Sequence, residues 1–320
     1  MNGSLGRDRV WNDHIWSEID QAVRQEIGRI RVAQKVFPSL VVNNVLPIST
    51  SRVGPPGFIV PPPGPALDVF APFFEISTQF VLTQAQVDGE ENVRLAASFA
   101  RSAASQISAA EDALLFFGPA AMVPPAMVPP GINVTNRPVV PPVPPVPPVP
   151  QVIPPGIVAE AAAYPAIQVP PVPRPGGGPP PVNPGDLGEI MTAVAQGIAA
   201  LNARAQPGPY ALFVPPVRFA QIFAPVGPGL LQTPGDQLNH VVTGGLYMVN
   251  SLAAAPAHPF PDDVGILVSL GGEPSKIILG NDAMTAFLFT DGQGNYHFRV
   301  FEPIQMVVRD GRAFQTLSFP

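Results

Sequence analysis

Between Arg137 and Gly156 the chain reads RPVVPPVPPVPPVPQVIPPG. Proline holds φ at about −65° and carries no backbone donor, so this stretch can be neither helix nor central strand. Polyproline II is the expected local state. Val143, Val146 and Val149 recur at a period of three and would align along one edge of such a helix. The stretch belongs to a longer proline-rich segment, Pro119–Pro184, whose only charged residues are Arg137, Glu160 and Arg174. Three readings stay open for it. It is a disordered tether, a stiff ordered arm that loses little entropy on docking against a particle surface or neighbour, or a docking site for a polyproline-reading partner. A second proline-rich stretch, Ser51–Pro72, contains GPPGFIVPPPGP.

A chain of 320 residues suffices for one large domain or two ordinary ones. Apolar residues make up 46% and charged residues only 12%, so the surface is poor in charge. That points to surface covered by something else, such as neighbouring subunits. The net charge of -6 argues against nucleic acid as the main partner. There is no cysteine, which excludes disulfides and thiolate metal sites. The opening MNGSLGRDRVWNDHIW has no apolar signal-peptide core, and no apolar run reaches the ~18 residues of a membrane span. A cytoplasmic protein without a membrane partner is the expectation.

Three segments read as helices. The first is predicted over Asp13–Ala33, where Ile15, Ile19, Val23, Ile27 and Ile30 recur at helical spacing. Asn12 suits the N-cap, Trp11 and Trp16 a hydrophobic staple, and Arg29 and Arg31 the negative pole of the helix dipole. The second is predicted over Gly89–Phe117, with Asp88 and Glu91 as a capping box. Its apolar face carries Leu95, Phe99, Ala103, Ile107, Ala110, Leu114 and Phe117, and a second face is made of small residues, among them Ala96, Ala97 and Ser98. The third is predicted over Leu187–Arg204, again with an Asp186/Glu189 capping box, and Pro207-Gly208 stops it.

The last third reads mostly as strands: Tyr210–Val214, Gly245–Asn250, Val264–Leu270 and Ser275–Leu279, then a hairpin of Met284–Thr290 and Tyr296–Arg309 around DGQGN. Pro303 predicts a bend or bulge in the last of these. Short helices are expected at Pro216–Phe223 and Asp236–Val242.

Motifs for catalysis are missing from the text. His14, His240, His258 and His297 are scattered, with no HExxH or HxxxH spacing. There is no GxSxG, Walker or dinucleotide glycine motif. Gly176–Gly178 among prolines reads as a hinge. Asp262, Asp263 and Asp291 read as turn residues, and the sequon at Asn133–Thr135 as chance. No catalytic residue and no metal site is predicted, and the expectation is a non-enzyme.

Five pieces, in order along the chain, carry a family resemblance. RDRVWNDHIWSEIDQAVRQEIGRIRVAQKV resembles the opening helix of encapsulin shell proteins, which build nanocompartments with the tailed-phage capsid fold. FEISTQFVLTQAQVD and the long helix closing in AEDALLFFG are similar to that family's strand and spine helix. GPYALFV resembles its GPYAL strand, and ILVSLGGEPSKIILGNDAMTAFLFTDGQGNYHFRVFEPIQMVVRD its C-terminal run. The match covers residues 7–117 and 186–317.

The resemblance implies an α+β fold of the tailed-phage capsid type. It would comprise an N-terminal helical arm (1–43), an extended loop (44–75), a peripheral domain with the spine helix (76–117 and 295–320) and an axial domain (118–294) holding the proline-rich insertion (119–184). It implies a homo-oligomeric icosahedral shell around a cargo enzyme that docks by a terminal targeting peptide on the inner wall. Ile15, Ile19, Val23 and Ile27, with Phe298 and Val300, are the candidates for that docking surface; the alternative is that they pack the helix onto its own domain. The loop Ala224–Thr233 would line the five-fold opening. Its candidates Ala224, Pro225, Val226, Gly227, Pro228, Gly229, Leu230, Leu231 and Gln232 carry no charge, so the opening is expected not to select ions strongly by charge.

The chain departs from the family in places. Some members carry a Trp in a WELD-like segment proposed to stack a flavin; here Ala85 stands there, so no cofactor is predicted. The proline arm is expected on the axial domain, facing outward. Two other identities remain: a phage or prophage major capsid protein, which shares the fold, and a proline-rich scaffold or adaptor.

Overall fold

The structure, a computed structural model, describes residues 5–42, 48–49, 70–119, 131–137, 155–169, 185–224, 233–253 and 263–319. Helix α1 spans Asp13–Ile30. Asn12 caps it by accepting the Ile15 N–H at 3.0 Å. Trp11 and Trp16 meet edge to face with centroids 5.0 Å apart, the expected staple. The helix ends at Ile30 rather than Ala33, because Arg31 turns to φ −49°, ψ 131°. Strands β1 (Ser39–Val41), β2 (Ile48–Ser49), β3 (Phe70–Ala71) and β4 (Phe73–Leu82) follow.

A short helix α2 (Gln84–Asp88) comes first, and the single helix expected from Gly89 is two pieces, α3 (Glu90–Val93) and α4 (Leu95–Phe117). The capping box belongs to Thr83 and Gln86, with the Thr83 N–H donating to Gln86 at 2.9 Å. Arg94 breaks the helix in the left-handed region at φ 55°. The break lets the buried Glu90 carboxylate turn back onto α4, where it accepts the N–H groups of Ala96 at 2.6 Å and Ala97 at 3.1 Å. A carboxylate at a helix N-terminus satisfies orphan donors and complements the dipole. Ala96, Ala100, Ala103 and Ala104 of α4 are buried, and α4 packs against α1 and β4; small side chains let neighbouring elements approach closely. Phe99, assigned to the apolar face, is 42% exposed.

The proline-rich segment is not arm throughout. Strand β5 (Ile132–Arg137) pairs antiparallel with β4, Ile132 opposite Thr78. Helix α5 (Ile157–Ala161) buries Ile157, Val158 and Ala161, and β6 (Ile167–Gln168) pairs parallel with the last strand of the chain. The valine-edged run lies almost wholly outside the described residues. The remaining elements are α6 (Gly185–Ala203), β7 (Tyr210–Val214), α7 (Pro216–Ile222), α8 (Pro234–Val241), β8 (Gly245–Met248), β9 (Asp263–Ser269), β10 (Ser275–Leu279), β11 (Met284–Thr290), β12 (Tyr296–Val308) and β13 (Phe314–Phe319). The Asp186/Glu189 capping box lies outside the described side chains.

Two sheets organise these elements. The first runs β1-β10-β12-β4-β5, with β11 also on β12; the second runs β6-β13-β9-β7-β8. Residues 275–290 thus join the first sheet and 314–319 the second. The first sheet, α1 and α4 enclose the larger core around Trp16, Ile76, Ile107 and Phe298. The second sheet and α6 enclose another around Ile190, Leu201, Leu212, Leu267 and Leu317. Pro303 makes no bulge: β12 keeps register with β4 from Tyr296 opposite Leu82 to Ile304 opposite Phe74. Its missing donor falls opposite Gly280, just past the end of β10, so no ladder bond is lost. The register shift lies instead on β11, between Phe287 and Phe289.

Candidate functional site

The N-terminal helix is locked to the first sheet at its start. Arg7 donates to the Thr285 carbonyl at 2.6 and 3.0 Å and pairs with Asp20 at 2.7 Å. Asp20 in turn accepts the Thr285 N–H at 3.1 Å, and the Phe287 N–H donates to the Leu5 carbonyl at 3.1 Å. Both indoles are tethered: Trp16 donates to the Arg7 carbonyl and Trp11 to the Val87 carbonyl, each at 2.9 Å. Behind them four rings stack in series. Trp11 lies on Phe298 at 5.0 Å, Phe298 on Phe80 at 5.2 Å, and Phe80 on Phe99 at 6.2 Å. The series ends at the surface with Phe99, which is 42% exposed; Val93, on α3, is 63% exposed.

Of the two roles open to the six docking candidates, their burial fits packing of the helix onto its own domain. Ile15, Ile19, Val23, Ile27, Phe298 and Val300 are all buried within the chain's own core. Their spacing is the spacing that packs α1 onto α4 and the sheet, so they offer no open surface to a peptide. The outward side of α1 is polar, with Asp13, His14, Gln21, Arg24, Gln25 and Arg29 exposed.

The far end of α1 is held by charge. The buried guanidinium of Arg31 contacts Glu111 on α4 through Nε and Glu302 on β12 through a terminal nitrogen. Glu111 also accepts from Gln34 at 2.9 Å. Its neighbour Asp112 accepts the backbone N–H of Ala33 at 3.1 Å and of Val32 at 3.3 Å. Both glutamates are 0% exposed. Burial, partly offset by Arg31, pushes Glu111 up to about 8. Burial likewise raises Glu302, and lifts Asp112 to about 6 against its backbone hydrogen bonds. Sequence periodicity missed this cluster because it assigns charged residues to the surface. The available signal was Glu111-Asp112 standing inside an otherwise apolar helix end.

Of the uncharged loop, only Ala224 is described, just beyond α7; Pro225–Gln232 lie outside the described residues. The loop's far anchor, Thr233, caps α8 in a reciprocal box with Asp236 at 2.8 and 3.3 Å. Around it Val217, Phe223, Val241 and Met248 are exposed, Met248 on the edge strand β8. Ala85 sits in the short helix α2. Asp291 is a turn residue, accepting the N–H groups of Gln293 and Asn295 at 2.9 Å and contacting His297 at 3.1 Å. Asp263 is in β9 rather than a turn and pairs with Arg218 at 3.3 Å. Among the described residues no group of three or more His, Asp or Glu could hold a metal, and no helix is long and apolar enough to cross a membrane.

Known proteins match this arrangement. The family Linocin_M18, described as encapsulating protein for peroxidase, matches residues 177–305. The virus-like particle from Pyrococcus furiosus superposes with a TM-score of 0.58 at 12% identity, over 96% of this chain and 100% of that one. The capsid of Myoviridae phage XM1 superposes with a TM-score of 0.51 at 9% identity, over 91% and 92%. No curated protein sequence matches at a significant level. At these identities the structural likenesses show the fold, which is the tailed-phage capsid fold expected from the sequence.

Proposed function

We infer that this chain is a shell protein of the encapsulin kind, whose copies close into an icosahedral compartment around a cargo enzyme. The observation that carries the reading is the family match over residues 177–305 together with a fold shared end to end with the subunit of a virus-like particle. The charge-poor composition supports it, as do the exposed apolar residues around the second sheet, because a subunit with most edges covered needs few surface charges. In this reading the first sheet with α4 serves as the peripheral domain and the second sheet as the axial domain. The role is structural, the chain itself performs no chemistry, and the compartment stands in the cytoplasm.

The matched family is described by a peroxidase, so an oxidative enzyme is the first cargo to seek. A terminal cargo peptide would dock on the inner wall beside α1, against the helix's solvent-exposed side rather than on the buried stripe. The exposed Arg24 and Arg29 of α1 would supply polar contact there. Size-exclusion chromatography with electron microscopy tests the reading: hollow megadalton particles are expected, and a chain that stays monomeric at high concentration overturns it. Monomers with an accessible polyproline segment would favour the adaptor.

The likeness to a phage capsid supports a second reading, packaging of genome in place of enzyme. Mass spectrometry and nuclease treatment of purified particles separate the two. A stoichiometric enzyme favours the compartment, and protected nucleic acid favours the capsid.

A further inference from the structure

The Arg31 cluster has more acid than base. From the residue just past α1 comes the single guanidinium of Arg31, from α4 the carboxyls of Glu111 and Asp112, and from β12 that of Glu302. Lys35, in the short turn after α1, and Asp282, between β10 and β11, act on the cluster from further away. Gln34 contributes a neutral amide. One guanidinium balances one buried carboxylate. The second glutamate then sits as an uncompensated charge, which is far costlier in a protein interior than its neutral acid. The atoms leave room for a proton. Glu302 Oε1 finds no hydrogen-bond partner among the described residues, and Gln34 can present its amide oxygen to Glu111 instead of its nitrogen.

We propose that Glu111 and Glu302 retain one proton between them at neutral pH and so form a proton-dependent latch that fastens the end of α1 to the spine helix and the sheet. What the latch holds is specific. Asp112, next in sequence to Glu111, caps the first backbone donors after α1, so loosening Glu111 loosens the turn Val32–Phe37. Phe37 lies on Phe213 with centroids 5.9 Å apart and on Phe314 at 6.3 Å, both in the second sheet. The latch therefore sits where the N-terminal helix meets the contact between the two sheets. The inference rests on the fold of the subunit and stands whether the assembled particle is compartment or capsid.

The sign follows from burial. Glu111 is raised in the folded chain, so its contribution is complete below the ordinary glutamate range and is lost as pH climbs towards about 8. Asp112 acts the same way but only up to about 6. Between about pH 6.5 and about pH 8 the opening of the turn is set by the glutamate proton alone and grows by up to about tenfold per pH unit, then levels off.

Hydrogen exchange of the Val32 and Ala33 amides in the purified full-length particle, corrected for intrinsic rates, reads this directly. Trp11 and Trp16, the chain's only tryptophans, report α1 docking by fluorescence. The expected result is a slope followed by a plateau in the wild type, and a flat, protected profile in Glu111→Gln. An ordinary ion pair predicts the reverse: no slope in the wild type and weaker protection at every pH in Glu111→Gln. Either of those results overturns the proposal. Should Glu111→Gln fail to fold, infrared titration of the wild type decides: a protonated-carboxyl band that persists at pH 7 and disappears near about 8 supports the latch, and its absence at pH 7 ends it.

Discussion

Gly156 lies directly against Gly118: a Cβ at Gly156 would fall 2.2 Å from the Gly118 nitrogen and 2.2 Å from the Phe117 carbonyl carbon. The chain leaves the spine helix at Gly118, supplies strand β5, and returns to the same point before α5. Only glycine fits at this crossing, because backbone cannot give way as a side-chain tip can. Gly156→Ala should cost about 1–3 kcal/mol by overpacking, seen as a lower melting temperature. Gly28→Ala is the control. Nothing lies within 4 Å of a Cβ there, and removing a glycine from α1 should stabilise by about 0.5–1 kcal/mol. An unchanged melting temperature for Gly156→Ala would mean that the two feet of the insertion part freely.

The start of the spine helix depends on one side chain. Glu90 accepts two of the four orphan N–H groups of α4, from Ala96 and Ala97, and is itself buried. Glu90→Ala leaves those donors buried and unpaired, at a cost of about 1–3 kcal/mol. Glu90→Gln keeps an acceptor and should lose about half as much. Equal melting temperatures for wild type and Glu90→Ala would show that water replaces the carboxylate.

The proline-rich segment divides into parts with different roles. Residues 132–137 extend the first sheet, and 157–168 pack into the core and pair with β13. Deleting the whole of Pro119–Pro184 therefore removes buried Ile157, Val158 and Ala161 and should abolish assembly. Replacing residues 138–154 by a Gly/Ser linker of equal length keeps both folded parts. If that run is a passive tether, particles form with an unchanged melting temperature. A lower melting temperature or broken particles would show that the valine edge docks on the shell.

What was legible in the sequence follows from what periodicity and punctuation encode. Tyr210–Val214, Ser275–Leu279 and Met284–Thr290 begin and end where their apolar runs do, and Asn12, Trp11 and Trp16 act as read. The break at Arg94 was not legible, since GEENVR contains no proline and a left-handed arginine carries no sequence mark; the Glu90 carboxylate that caps α4 across the break acts through its side chain and leaves no periodicity. Strand β5 was hidden because INVTNR sits between prolines and its pairing with β4 is non-local. Phe99 reads as buried with its face, whereas it stacks on Phe80 at the rim of the core and stays 42% exposed, because periodicity does not show where a core ends. The docking stripe on α1 illustrates the same limit: a helical repeat reveals that a face is covered, not whether the cover is the chain's own core or a guest.

The loop between α7 and α8 offers a test of permeation. Ala224–Thr233 carries no charge, and its anchors lie beside the exposed Val217, Phe223 and Val241. If copies meet there around a symmetry axis, each substitution is repeated around the opening. Leu230→Asp would then place a ring of carboxylates at a narrow mouth with apolar walls, where a field is focused rather than screened. Entry of a lanthanide cation into the particle, followed by luminescence from a chelator trapped inside, should become faster and more salt-sensitive than in the wild type, and Leu230→Lys should slow it. Neutral small molecules should enter all three particles at the same rate, which separates charge selection from a change of aperture. Cation entry that is indifferent to both substitutions would place this loop away from any opening.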